Sequence, residues 1–147
     1  MKKLAANYLI SESNKFLKNG ILLAEDNGTV IEYIDTRGDL DEIAQLTFHN
    51  GILVTGQTFT RLNSEDQLLH NQIIQAKEQL SLSDLIELAK EYQLLHPDKT
   101  IPEIWSAMNA DLALSHRKEN TTGIFLLIGC DLPALRFTSE SRLKKLL

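Results

Sequence analysis

The run Gly123-Ile-Phe-Leu-Leu-Ile-Gly129 is apolar throughout and has the length of a single strand. The other apolar runs of strand character lie at the opposite end of the chain. They are Tyr8-Leu-Ile10, Gly20-Ile-Leu-Leu-Ala-Glu25, Thr29-Val-Ile-Glu-Tyr-Ile-Asp35 and Ile52-Leu-Val54. The sequence between them has helical periodicity. The order is therefore β, then α, then β, and neither β block can bury its apolar face alone. The simplest solution packs the two blocks together in one sheet or sandwich, with the helices on one side, giving an α+β fold.

The clearest local signal is the hairpin around Asn27-Gly28, where glycine supplies the positive φ of a tight turn between two β-rich runs. Asn19-Gly20 marks an earlier turn. Residues 37–47 read as polar and irregular, His49-Asn-Gly51 as a turn, and Ile52–Val54 as a short strand. Three helices are expected next. The first runs from Asn63 to Leu80, with Leu69, Ile73, Ala76 and Leu80 at helical spacing. The second runs from Ser83 to Leu95 and stops at His96-Pro97. The third runs from Thr100 to Leu114, opened by the capping box Thr100-Ile-Pro-Glu103. After Pro133, Ala134-Leu-Arg-Phe-Thr138 reads as a short strand, and Ser139–Leu147 as a strand or a terminal helix.

A length of 147 residues fits one domain, with sandwich strands over residues 1–57, helices over 63–115 and closing strands over 120–147. The formal net charge of −5 disfavours nucleic acid and anionic membranes as partners. The single basic cluster, Arg142-Leu-Lys-Lys145, is too small for a nucleic-acid face. Cys130 is the only cysteine, so no internal disulfide forms. The first residues are too polar for a signal peptide and no run reaches a membrane span, so the expected compartment is the cytoplasm.

The residue types that carry chemistry are present but not arranged for it. His49, His70, His96 and His116 include no pair at metal-ligand spacing. His49 is expected in a turn, His96 before a helix-ending proline and His116 in a polar loop. Cys130 reads as a buried thiol rather than a nucleophile. Glu25-Asp26 and Glu65-Asp66 are adjacent carboxylates that do not converge on one substrate. Trp105 reads as a core anchor. No catalytic, cofactor-binding or metal-ligating residue and no cofactor are expected.

Against this stands a resemblance. The stretch NYLISESNKFLKNGILLAEDNGTVIEYID is similar to the opening strands of the amidohydrolase superfamily, in its metal-dependent deaminase and chlorohydrolase-like branch. FHNGILVTG resembles the strand that leads into the first metal ligands, with Thr55 where proline is usual and Gly56 kept. QLSLSDLIELAKEYQLLHP, IPEIWSAMNADLAL and TTGIFLLIGCDLPALRFTSESRLKKLL resemble the family's closing helices and strands. Within them Trp105, Asn109, Ala113 and Leu114 match, while Ala110, Asp111 and Ser115 depart.

The resemblance implies a composite β-sandwich from both chain ends, with a (β/α)8 barrel between them that hydrolyses C–N bonds other than peptide bonds. The metal ligands that it implies are missing. QTFTRLNSED follows Gly56 in place of a His-x-His pair, and Gln72 falls near the position of the late aspartate ligand. A barrel takes roughly 200 residues or more, and about twenty separate the two matching blocks. The expectation is a barrel-less, non-catalytic remnant acting as a structural or interaction domain that self-associates through exposed apolar surface. The alternatives are an auxiliary subunit that complements a full-length amidohydrolase paralogue, and a small-ligand binding domain.

Overall fold

The computed structural model describes residues 1–11, 15–39, 45–55, 58–61, 78–80, 82–111, 114–117 and 123–147. The chain falls into two compact units, Met1–Gly56 with Thr121–Leu147, and Gln57–Asn120.

The first unit is a mixed, seven-stranded sheet that does not close. Its strands are β1 (Lys2–Ile10), β2 (Phe16–Lys18), β3 (Ile21–Ala24), β4 (Val30–Ile34), β5 (Leu46–Thr55), β9 (Ile124–Ile128) and β10 (Arg142–Lys145). Their order is β10-β9-β5-β1-β3-β4, with β2 beside β1. The apolar run that needed distant neighbours has them. Strand β9 pairs antiparallel with β5, matching Leu126 to Leu53 and Ile124 to Thr55. Strand β5 runs parallel to β1, with Leu53 beside Leu9. The opening and closing segments thus share one sheet.

A buried cluster of this unit comprises Leu4, Ala6, Leu9, Leu22, Ala24, Leu53, Ile124 and Leu126, while Ile10, Ile21, Ile52 and Leu127 are buried outside it. Val30 and Tyr33 from β4 pack against it, as do Leu146 and Leu147 beyond β10. Those residues come from opposite ends of the strand order, so the sheet must coil around the cluster. Its handed twist supplies that curvature. The hydroxyl of Tyr33 donates to Thr55 Oγ1 at 3.1 Å, although β1 and β3 separate the two strands in the sheet.

The hairpin expected at Asn27-Gly28 joins β3 to β4. Glu25 N–H donates to Thr29 O at 2.8 Å, Asn27 Oδ1 accepts from Thr29 N–H at 2.9 Å, and Gly28 has φ 90°. An added Cβ at Gly28 would lie 3.2 Å from the backbone of Gly123, so glycine is required there for space as well as for φ.

Two readings of the β segments are corrected, and one left open is decided. His49-Asn-Gly51 is not a turn but the middle of the ten-residue strand β5. A register shift between Ala6 and Tyr8 of β1 puts a bulge there. Gly51, at φ 145°, lets the strand continue where a tripeptide of turn-forming residues reads as a break. Ala134–Thr138 is not a strand. Asp131 and Arg136 exchange two backbone hydrogen bonds around a turn in which Leu135 has φ 51°. The ambiguous tail contains strand β10, whose pairing of Leu143 with Leu127 supplies what the local sequence does not.

The second unit contains β6 (Thr58–Arg61), β7 (Glu78–Leu80), α1 (Leu82–Leu95), α2 (Ile101–Asp111) and β8 (Leu114–Arg117). The three strands form a small antiparallel sheet ordered β7-β6-β8. Helix α1 buries Leu82, Leu85, Ile86 and Ala89. Helix α2 buries Ile101, Ile104, Trp105 and Met108, a stripe at helical spacing.

Two of the three expected helices are present among the described residues. Residues 63–77 of the first lie outside them, and its last three, Glu78–Leu80, are strand β7, because Leu80 pairs with Phe59 and Glu78 with Arg61. The third ends at Asp111, and Leu114 opens β8 opposite Arg61. No helix among the described residues is long and apolar enough to cross a membrane.

Candidate functional site

His49 lies on the first half of β5, opposite Ala6, and not in a turn. It is half-buried. Its pKa is held below the ordinary imidazole value of 6.5, chiefly because burial disfavours the charged ring and secondly because Lys144 carries like charge nearby. His96 follows the last residue of α1. Its ring lies 4.4 Å from that of Tyr92, tilted by 32°, and its N–H donates to Tyr92 O at 3.0 Å. It closes a helix end ahead of Pro97. His116 is in strand β8 rather than a loop, paired with Phe59. His70 and Glu65-Asp66 lie outside the described residues. His49 belongs to the first unit and His96 to the second.

Cys130 is half-buried rather than fully buried. Its Sγ lies 3.3 Å from Ser141 Oγ. Ser141 is 2% exposed, and its Oγ also accepts from Thr138 N–H at 2.8 Å and reaches Gly129 O at 3.4 Å. The Thr138 hydroxyl donates to the same carbonyl. This knot fixes the sharp turn out of β9. An added Cβ at Gly129, where φ is 81°, would lie 2.3 Å from Glu140 O. The backbones of residues 129 and 140 approach so closely that their polar groups must be satisfied by neighbouring hydroxyls. Nothing in the one-dimensional pattern of Ser and Thr near Pro133 reveals this.

A second polar cluster centres on Asn7. Its Oδ1 accepts from Gly51 N–H at 2.8 Å, and its backbone carbonyl accepts from Asn19 N–H at 2.9 Å. Asn19, with φ 53°, donates from Nδ2 to Gly38 O at 2.9 Å, and the Thr36 hydroxyl donates to Asn19 O at 3.1 Å. The bulged donor of β5 is satisfied by a side chain because the ladder skips it. The signal in the sequence is an asparagine inside the run Leu4–Ile10, whose other residues are apolar or aromatic.

The amidohydrolase resemblance implies a divalent metal, and the donor set does not fit one. Among the described residues no three His, Cys, Asp or Glu side chains come together. Strand β6, which follows the approach strand β5, has the sequence Thr-Phe-Thr-Arg. Thr55, where the resemblance would place a proline, is 2% exposed, and its Oγ1 accepts from the Tyr33 hydroxyl. Trp105 is 3% exposed on α2. Glu25 and Asp26 sit on the β3–β4 turn. The basic cluster forms β10, with Arg142, Lys144 and Lys145 exposed at the end of the sheet and Leu143 half-buried.

No protein-family model matches the chain, and neither a curated protein nor a solved structure shows significant similarity to it.

Proposed function

We propose that the chain is a non-catalytic scaffold related to the composite β-sandwich of amidohydrolases, without their barrel. It acts as a structural or interaction domain. The observation that carries this reading is the position of β5. In the sequence this strand resembles the approach to a metal site, and in the sheet it is central, flanked by β1 on one side and β9 on the other. Its last residue, Thr55, pairs with Ile124 and accepts the Tyr33 hydroxyl. A strand with these partners has a reason to persist without a reaction centre after it, because removing it would separate the two ends of the chain.

Zinc titration tests the reading. Isothermal titration of the full chain at neutral pH should give no stoichiometric binding, and the protein should not release ammonia from cytosine, guanine or adenosine-type substrates. One tightly held zinc per chain, lost on substituting a histidine, would overturn it.

A further inference from the structure

The structure assigns β10 as a docking edge for an acidic, extended segment of a partner protein. Strand β10 ends the sheet, paired with β9 on one side and with no strand among the described residues on the other. An edge strand offers backbone donors and acceptors to any chain that can lie beside it. What it accepts is set by its side chains, and three of its four residues are exposed cations: Arg142, Lys144 and Lys145. They form a basic strip on a chain whose net charge is −5.

The strip excludes the obvious self-pairings. Two copies of β10 joined antiparallel about a two-fold axis would set Arg142 opposite Lys145, and like charges directly opposite destabilise a ladder. The other end of the sheet, β4, offers a single exposed acid, Glu32, against these three cations. That contact would also be head-to-tail, giving a ring or an open filament rather than a two-fold dimer. Lysines on an edge bar neutral and basic strands, and a strand carrying carboxylates reverses the barrier.

The alternation of β10 fixes the pattern. Arg142 and Lys144 share one face, Leu143 and Lys145 the other. An antiparallel partner therefore reads acid, acid, apolar, acid against Lys145, Lys144, Leu143 and Arg142. This inference rests on the reading of the chain as an interaction scaffold, and the zinc titration tests a different part of that reading, so each can fail alone.

The probe is a fluorescein-labelled nonapeptide with Glu-Glu-Val-Glu at its centre, titrated into the full chain at low salt. Saturable binding is expected, weakened about tenfold or more by the double substitution Lys144→Glu, Lys145→Glu, and strongly reduced at about 1 M salt. Hydrogen exchange should slow at Arg142–Lys145 in the complex. A matching Lys-Lys-Val-Lys peptide tests the charge rule whatever the variant's folding. Equal binding of the two peptides, no binding of the acidic one, or protection of β10 that rises with protein concentration alone would overturn the proposal.

Discussion

The sheet unit and the inserted unit reach their cores by opposite routes. The sheet is assembled from segments far apart in the chain: β9 lies beside β5, and β5 beside β1. Its cluster takes residues from both ends, Leu4 and Leu126 among them. In the inserted unit the two helices are neighbours in sequence, and each buries a stripe defined by its own periodicity. The first route depends on register, and register is set at a few backbone positions. The second depends on local spacing and end capping. A single substitution should therefore damage the two units differently. Trp105, the chain's only tryptophan, reports on the inserted unit by fluorescence, while amide exchange in β1, β5 and β9 reports on the sheet.

The largest effect is expected at Gly51. Its φ of 145° disfavours any other residue, and an added Cβ would lie 2.6 Å from the backbone oxygen of Leu127 and 3.0 Å from Leu126 Cδ1. Gly51→Val should cost about 4 kcal/mol, combining backbone strain with overpacking. Denaturant unfolding followed by amide exchange should show β5 and β9 losing protection together. Protection unchanged in β9 would mean that the bulge does not set the register.

Cavity variants come next and compare the units directly. Leu53 and Ile104 are both fully buried, one in each unit. Each substitution to alanine should cost about 3 kcal/mol. Leu53→Ala should lower protection across the sheet before Trp105 fluorescence changes, and Ile104→Ala should do the reverse. Simultaneous loss by both probes in both variants would show that the two units unfold as one.

Thr55→Val is a milder test, of the bond that ties β4 to the end of β5. The substitution removes the hydrogen bond from the Tyr33 hydroxyl to Thr55 Oγ1 at nearly constant side-chain volume, for about 1 kcal/mol. An unchanged unfolding midpoint would remove the structural reason proposed for keeping this strand.

The same contrast explains what the sequence made legible. Helices α1 and α2 were readable because their apolar spacing and caps are local, down to the Glu103 carboxylate that accepts from Thr100 N–H at 3.1 Å. The Asn27-Gly28 hairpin was readable for the same reason. The joining of both ends in one sheet followed from two apolar blocks without other cover. The continuity of β5 through Asn50-Gly51 did not, because turn-forming residues and a bulge use the same amino acids. Strand β10 was ambiguous because Arg-Leu-Lys-Lys suits a helix as well as an edge, and only pairing with β9 decides. The knot of Gly129, Thr138 and Ser141 is tertiary and has no periodic signal. The candidate partner edge was visible as a basic cluster, but its meaning depends on lying at the end of the sheet.

The smallest effects are the two pH windows, one in each unit. His49 has its pKa lowered from 6.5 by burial first and by Lys144 second. The unfolded chain then takes up that proton first, so the sheet loses stability as pH falls below 6.5 toward the folded value. His49→Gln should flatten this slope in amide-exchange measurements on β5. Glu103 has its pKa lowered from 4.5, chiefly by the Thr100 hydroxyl, which donates at 2.8 Å, and then by the Thr100 amide. Its contribution is complete above 4.5 and disappears as pH falls through the folded value. Acid should therefore fray the first turn of α2 at a lower pH than it loosens β5, and Glu103→Gln should remove the fraying step while leaving the His49 slope in place. A single window shared by both units, abolished by either substitution, would show that the register-built sheet and the locally built helices are not independent after all.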